Sequence, residues 1–332
     1  MKILYVEDDL SGTIDRLIRL FEKYLNKQAI DDLRSLNNDE YGGTTDEIKE
    51  VVESTNIIEI ADSFPAALQK IVNDYERYAC FIVDRNLIDK KPYSFQEINQ
   101  IDHNYDNALY EKYREREGDY LLVWLGTKSP SVLQKFNFLS AYPKDHIRGI
   151  ETIQTFIDMK KFKEEQFFDK DDEGIVKLKK KIDRIDALNV KEDNRIYLEI
   201  LSYNLHANDA DLFLQVLLRK DDQSLIINNL KIIRNLLDGM LKKLEKIIPS
   251  MKEKCSGYGK RKTIDWLAGE KYANGDQKYM DSLVQNFSKS IWIISSDAIH
   301  DLIKPTTNTL NSLVYAMKDV LLWFGDQCKQ KK

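Results

Sequence analysis

The stretch Phe81-Ile82-Val83-Asp84-Arg85-Asn86 is a short apolar run that stops on an acid. A second run of the same kind, Ile3-Leu4-Tyr5-Val6, is followed directly by Glu7-Asp8-Asp9. Short runs that are apolar throughout are typical of strands buried on both faces of a parallel sheet. Because ligands and chemistry lie at the carboxyl ends of such strands, we expect the acids of the two runs to meet at one sheet edge.

Carboxylates that lie this close together raise one another's pKa unless a cation lies between them. Ligand sets made only of oxygen suit Mg²⁺, so Glu7, Asp8 and Asp84 are candidate metal ligands. Acids also end strands simply to cap the next helix, and for either cluster alone that is the ordinary interpretation. The two clusters together, in this order along the chain, favour a site.

Three more short apolar runs extend the pattern over the first half of the chain. We predict these strands at residues 57–60, 136–139 and 166–168, the strand before Asp84 at residues 80–83, and helices at residues 13–26, 63–72, 119–126, 150–162 and 174–188. Strands that alternate with helices indicate an α/β fold with a doubly wound, five-stranded parallel sheet. We place this domain at residues 1–188.

Two polar stretches interrupt the alternation, at about residues 28–56 and 89–117. The first contains Gly42-Gly43 and is predicted to be an insertion or a long loop. The second is rich in charge and tyrosine and begins beside the candidate site, so we expect a lid or a partner-binding loop there.

Only helical periods follow Asn194. The clearest runs from residue 225 to 248, where apolar residues repeat every three to four positions, and Pro249 is predicted to end it. Further helices are predicted at residues 283–294 and 310–324, so residues 194–332 are predicted to form an all-α helical bundle domain.

Composition narrows the class of protein. The 332 residues are enough for two domains, and 50 Lys and Arg against 55 Asp and Glu give a formal charge of -5. This balance gives no electrostatic case for a nucleic-acid partner. The three scattered cysteines form no metal pair or disulfide framework, and no apolar stretch approaches membrane-spanning length. We therefore expect a cytoplasmic protein with no membrane partner.

The first half resembles the receiver domain of response regulators, over roughly the first 185 residues. In that family an acidic pair binds Mg²⁺, and Glu7 and Asp8 match it. Asp84 matches the phosphoacceptor, and Asn86 matches the residue whose backbone carbonyl completes the metal site. The resemblance therefore implies a flavodoxin-like fold with Mg²⁺ held by Glu7, Asp8, Asp84 and Asn86.

Three further positions carry the same resemblance. Ser140 matches the hydroxyl residue that contacts the phosphoryl group, Lys170 the lysine beside it, and Phe167 the aromatic switch residue. The resemblance implies a phosphorelay protein that accepts a phosphoryl group from a histidine kinase or another phosphodonor, with slow autodephosphorylation as its only enzymatic step. The family usually has one proline after its lysine and another shortly after its phosphoacceptor. In this chain Asp171 follows Lys170, and Leu87-Ile88-Asp89 stands where the second proline is expected. A pseudo-receiver that is never phosphorylated is the alternative.

The second half has a fainter resemblance to the HEPN superfamily of helical bundles, at residues 232–238 and 295–300. His300 matches the catalytic histidine of its ribonucleases, but Ser295 and Ser296 stand where arginine would be. Without that cation the scissile phosphate loses its main stabiliser, so we expect no ribonuclease activity. We expect instead a module that binds a protein partner, with a homodimer as an open alternative. An aspartate-nucleophile phosphatase is disfavoured because its nucleophile belongs at the first strand end.

Overall fold

The structure is a computed structural model that describes residues 1–38, 43–88, 91–141, 151–273 and 277–329. The chain divides into two compact units, Met1–Asn189 and Val190–Lys332. The elements up to the boundary are, in order, β1 (Lys2–Val6), α1 (Ile14–Phe21), α2 (Lys27–Asn38), α3 (Thr45–Glu53), β2 (Ile58–Ala61), α4 (Phe64–Asp74), β3 (Tyr78–Val83), α5 (Phe95–Ile101), α6 (Asn107–Tyr113), α7 (Glu117–Lys128), β4 (Phe136–Ser140), α8 (Glu151–Asp158), β5 (Phe167–Asp169), α9 (Asp172–Ile182) and α10 (Asp186–Asp193).

The five strands form one sheet in the order β2-β1-β3-β4-β5, and every neighbouring pair is parallel. The predicted α/β class and five-stranded parallel sheet are thus confirmed, and each strand lies within about two residues of its predicted limits. Val6 at the end of β1 pairs with Ala61 and with Val83, so these three strands end side by side. Ser140 pairs with Asp169 at the ends of β4 and β5.

Helices cover both faces of this sheet. Leu4, Val6, Phe81 and Val83 share one buried cluster with residues of α4, α7 and α8. The alternate residues of the same strands share a second cluster with residues of α1, α2, α3 and α9. Because successive side chains of a strand point to opposite faces, the sheet is buried on both sides. This explains why its strands read as continuous apolar runs.

The stretch 28–56, predicted to be an insertion or a long loop, is largely helical, so the loop alternative was wrong. Thr44 and Glu47 form a capping box that begins α3. The buried apolar residues of α2 and α3 are spaced four apart, namely Ala29, Leu33, Ile48 and Val52. Each helix buries only two such residues, and the many charges around them hide the periodicity. Residues 39–42, including Gly42, lie outside the described residues.

The described part of the stretch 89–117 contains α5 and α6, while residues 89–90 lie outside it. Its tyrosines pack against other residues of the first unit. The rings of Tyr93 and Phe64, for example, have centroids 5.0 Å apart. The rings of Tyr105 and Tyr120 are 4.8 Å apart and meet edge to face, which is a favourable aromatic geometry. The stretch is therefore a packed part of the α4 and α7 side of the sheet.

The predicted helix at residues 174–188 is two helices, because α9 ends at Ile182 and α10 begins at Asp186. The last carbonyls of α9 have partners outside the helix, as helix ends require. Tyr24 donates to the Ile182 carbonyl at 3.2 Å, and the Asn189 amide donates to that of Asp183 at 3.0 Å. The boundary between the two units falls inside α10.

Within its described residues, the second unit has helices as its regular elements. After α10 these are α11 (Arg195–Asn204), α12 (Ala207–Leu218), α13 (Ile226–Ile247), α14 (Pro249–Lys254), α15 (Lys260–Leu267), α16 (Ser282–Ile299) and α17 (Thr307–Lys329), with short 3₁₀ turns between them. The longest predicted helix corresponds to α13, which contacts both α16 and α17. Among the described helices, none is both long enough and apolar enough to cross a membrane.

Candidate functional site

Three acids meet at the carboxyl edge of the sheet. Glu7 and Asp8 directly follow β1, and Asp84 directly follows β3. The Asp84 backbone N–H donates to the Val6 carbonyl at 3.0 Å, which holds the two strand ends side by side. One carboxylate oxygen from each acid lies within 4.8 Å of the other two. All three side chains are buried, at 1%, 7% and 7% exposure.

Lys170 joins two of these acids. Its Nζ lies 2.5 Å from Asp84 Oδ2 and 2.8 Å from Glu7 Oε2. The residue follows β5, two strands away from β3, and its backbone N–H donates to the Ser140 carbonyl at 3.1 Å. A second cation, Arg16 of α1, places Nη1 3.3 Å from the same Glu7 oxygen. Glu7 is therefore in direct contact with two positive side chains, and Asp84 with one of them.

Burial and these charges shift the pKa values of the site. Burial, with the nearby Asp84, raises the pKa of Glu7 from 4.5 to about 7, although Lys170 and Arg16 oppose the rise. For Lys170, burial acts to lower the pKa, but the two acids outweigh it and the net pKa is raised. Lys170 is therefore charged at neutral pH, and Glu7 exchanges its proton near neutrality.

The loop that carries Asp84 is fixed by the first turn of α7. Asp84 Oδ1 accepts from the Arg85 backbone N–H at 2.7 Å, and the Arg85 carbonyl accepts from the Gly118 N–H at 3.0 Å. A Cβ on Gly118 would lie 2.3 Å from the Asp84 carbonyl oxygen, so the close approach requires glycine. Glu117 Oε2 accepts from the Leu87 N–H at 3.0 Å.

The remaining predicted residues lie around this edge. Ser140 is the last residue of β4 and is buried, and Asn86 is buried with its side-chain oxygen accepting from the Ile88 N–H at 3.2 Å. Phe167 begins β5, and its ring stacks on that of Phe138 with centroids 4.9 Å apart. The fold thus gathers Glu7, Asp8, Asp84 and Lys170 into direct proximity, while Phe167 lies within the neighbouring apolar core.

An ion pair that was not predicted lies immediately beside Asp84. Arg85 Nε is 2.9 Å from Asp119 Oδ1, and Nη2 is 2.7 Å from Oδ2. Both residues are buried, at 3% and 0% exposure. Burial raises the pKa of the Asp119 carboxyl, while Arg85 opposes the rise. Since charged residues are almost never fully buried without a partner, an arginine two residues after a buried strand was the available sequence signal.

The donor set was compared with the needs of Mg²⁺. This ion prefers hard oxygen ligands, takes one or two carboxylates, and retains several waters. Glu7, Asp8 and Asp84 offer carboxylate oxygens close enough to share one ion. The cluster therefore fits Mg²⁺ by ligand type and by spacing.

Comparisons with known proteins gave no match. No protein-family model matches the chain, and neither a curated protein nor a solved structure does. The function must therefore be inferred from the fold and the site.

Proposed function

We propose that the chain is a response regulator of a phosphorelay, in which Asp84 accepts a phosphoryl group and the second unit carries the signal onward. One observation carries this proposal: Lys170 Nζ contacts both Asp84 and Glu7 at the edge where Asp8 adds a third carboxylate. The strand order β2-β1-β3-β4-β5 supports it, because flavodoxin-like doubly wound sheets have this order and place their sites at the carboxyl ends of the strands.

The metal would be held by the carboxylates of Glu7, Asp8 and Asp84 and by the backbone carbonyl of Asn86. When bound, Mg²⁺ would neutralise the negative charge on the oxygens of the phosphoryl group. These ligands lie on loops that follow β1 and β3, so the parallel pairing of the two strands sets their spacing.

The chemical step is a phosphoryl transfer. A carboxylate oxygen of Asp84 forms a bond to phosphorus while the bond from phosphorus to the donor breaks, and the leaving group takes that electron pair. Lys170 already donates to Asp84, so its ammonium is placed to donate to the phosphoryl oxygens of the product. Ser140 supplies a hydroxyl at the end of the neighbouring strand, and Phe167 is the switch residue of this proposal.

The partners follow from this chemistry. A histidine kinase or a small phosphodonor supplies the phosphoryl group, and a protein partner binds the helical second unit. The protein acts in the cytoplasm, its balanced charge does not favour a nucleic-acid partner, and slow autodephosphorylation is its only enzymatic activity. A homodimer through the second unit is the alternative to a separate partner.

The second unit is proposed to be a HEPN-like bundle without ribonuclease activity. His300 is exposed and follows the last residue of α16. Ser295, at one of the positions where the ribonuclease arginine would stand, is fully buried. The nearby Arg234 lies over the Trp292 ring at 4.3 Å from its centroid, which occupies its guanidinium in a cation–π contact. Incubation with single-stranded RNA should therefore yield no cleavage products.

Intact-mass measurement after incubation with acetyl phosphate and Mg²⁺ tests the main proposal. We expect the wild type to gain the mass of one phosphoryl group and Asp84→Asn to gain none. Asp62→Asn is the matched control, because Asp62 follows β2 at the same sheet edge but pairs with Lys49 and Lys91. It should be labelled like the wild type. An unlabelled wild type that binds Mg²⁺ would reject phosphorylation.

The cations around Glu7 favour one second candidate, a phosphorylation-independent pseudo-receiver fused to an interaction module. Lys170 and Arg16 offset much of the acidic charge by themselves, so the cluster can be a structural ion-pair network. Labelling of Asp84 by acetyl phosphate separates the candidates, because the pseudo-receiver keeps the acids but takes up no phosphoryl group. A calorimetric Mg²⁺ titration tests the metal site itself: the wild type should bind the ion with millimolar-scale affinity, and equal isotherms for the wild type and Asp8→Asn would reject the metal site.

A further inference from the structure

The guanidinium of Arg85 contacts the core around Phe167 as well as Asp119. Its central carbon lies 5.7 Å from the centre of the Phe138 ring and 6.0 Å from that of Phe167. Cations within about 6 Å of an aromatic ring centre are attracted by its electron-rich face. The two rings are stacked on each other, so one guanidinium contacts both of them and also pairs with Asp119.

The main chain of Arg85 links the same group to the phosphoacceptor. Its N–H donates to a carboxylate oxygen of Asp84, and its carbonyl accepts from Gly118 in the first turn of α7. Asp119, the partner of its side chain, is the next residue of that turn. Side chain and main chain of one residue therefore connect Asp84, α7 and Phe167.

Phe167 is packed inward. It is 9% exposed, and besides Phe138 it meets the Phe162 ring edge to face, with centroids 5.4 Å apart. A bidentate arginine–carboxylate pair has a fixed planar geometry, so it constrains the position of any ring packed against it.

We propose that Arg85 and Asp119 are positioning residues, which hold Phe167 packed on Phe138 and fix the Asp84 loop to α7 before any phosphoryl group arrives. The effect on Asp84 labelling rests on the proposed function, whereas the position of Phe167 does not. A phosphoryl group shifts a two-state equilibrium only by its differential affinity for the two states. If the Phe167 ring is already held in its buried, inward position, phosphorylation would therefore move this ring only a little.

The test replaces both charged partners with apolar residues of similar size, as Arg85→Met with Asp119→Leu. Replacing a buried ion pair in this way is often neutral for stability, so the variant is expected to fold, whereas removing one partner leaves an unpaired buried charge. Both proteins are labelled with fluorophenylalanine, and the Phe167 resonance is assigned by its loss in Phe167→Leu. Fluorine NMR is recorded without phosphodonor, and thermal unfolding checks the fold.

In the wild type we expect one sharp Phe167 resonance that moves little on adding Mg²⁺ and beryllium fluoride, a phosphoryl mimic. In the double variant we expect that resonance to broaden or split without the mimic, and Asp84 labelling by acetyl phosphate to slow on the order of threefold to tenfold, as the competent fraction falls. An unchanged Phe167 resonance in a folded double variant would overturn the proposal. If the wild type is not labelled at all, the proposed function fails, while the resonance still decides the role of the pair.

The matched control is Lys49→Met. Lys49 belongs to α3 and pairs with Asp62 at the end of β2, so the variant removes an ion pair at the same sheet edge. Its Phe167 resonance and its labelling rate should equal those of the wild type. If the control shows the same changes as the double variant, the effect is one of general stability, and the positioning role is rejected.

Discussion

The side chain of Glu7 is almost fully buried. Its carboxyl group lies near two other acids, Asp8 and Asp84, and contacts two cations, Arg16 and Lys170. Burial is the main reason that its pKa rises from 4.5 to about 7 in the folded protein. A folded-state pKa above the unfolded value means that the folded protein binds the proton more tightly. The stability that Glu7 contributes is therefore fully present below about pH 4.5 and is lost as the pH rises to about 7.

Glu7→Gln keeps the size of this side chain but cannot titrate. Without added metal, we predict that the free energy of unfolding of the wild type falls relative to this variant by about 3 kcal/mol between pH 4.5 and 7. Urea unfolding across this range measures the difference. A difference between the wild type and Glu7→Gln that does not change with pH would contradict the raised pKa.

The residues of the site differ in how far the sequence predicts them. Glu7, Asp8 and Asp84 could be placed together because each follows a continuous apolar strand, and parallel strands end at one edge. Lys170 could be assigned to the site only through the resemblance to receiver domains, since the strand before it is three residues long and gives only a weak sequence pattern. The contact between Arg85 and Asp119 could not be predicted, because 34 positions separate them and their meeting depends on where the stretch 89–117 returns.

At the scale of elements, the first turn of α7 is the contact that fixes the Asp84 loop. Its position depends on Gly118, where a Cβ would lie 2.3 Å from a backbone oxygen and 2.9 Å from the Arg85 Cα. Backbone atoms cannot move aside as the end of a flexible side chain can. Where the chain returns to the sheet after residues 89–117, position 118 therefore has almost no room for a side chain larger than that of glycine.

We predict that Gly118→Ala lowers the free energy of unfolding by about 1–3 kcal/mol, as is usual for overpacking, and slows labelling of Asp84. Thermal unfolding and acetyl phosphate labelling measure the two effects. Gly239→Ala is the matched control, because it lies within α13 and its nearest atom would be Leu205 Cδ1 at 3.5 Å. Alanine is favoured over glycine in a helix, so the control should be neutral or slightly stabilising. Equal behaviour of the two variants would argue against the close contact.

The two polar stretches show why some elements were not predicted. Helices α2 and α3 each bury only two apolar residues, so their periodicity is weak against a background of charge. In the described part of the stretch 89–117, three of the six buried residues are tyrosines, namely Tyr93, Tyr105 and Tyr113. Tyr93 donates to Glu117 at 3.0 Å and Tyr120 to Asp102 at 2.6 Å. A tyrosine does not reveal in the sequence whether its ring is buried.

At the scale of the whole molecule, α10 carries the chain from the first unit to the second. Residues 189–193 lie between the two predicted domains, 1–188 and 194–332, and in the structure they belong to the helix α10. A helical connection transmits a change in its position more directly than a flexible linker does.

We therefore predict that beryllium fluoride with Mg²⁺ slows hydrogen exchange in α10. Phe167→Ala should weaken this change without abolishing Mg²⁺ binding, because the inward ring would transmit it as a fixed packing contact and not by its own movement. Exchange followed by peptide mass spectrometry measures this. Peptides of α13, which lies wholly in the second unit, report whether the change extends beyond α10. Unchanged exchange in α10 while the mimic is bound at Asp84 would mean that the two units are not coupled.

The central claim is that Asp84 is a phosphoacceptor that depends on Mg²⁺. Its most direct test is borohydride trapping after incubation with acetyl phosphate, because the reduction marks the residue that carried the acyl phosphate. Peptide mass spectrometry should find the mark on Asp84 when Mg²⁺ is present and should find none after chelation. A mark on another acid, or an unmarked Asp84 at saturating Mg²⁺, would contradict the account.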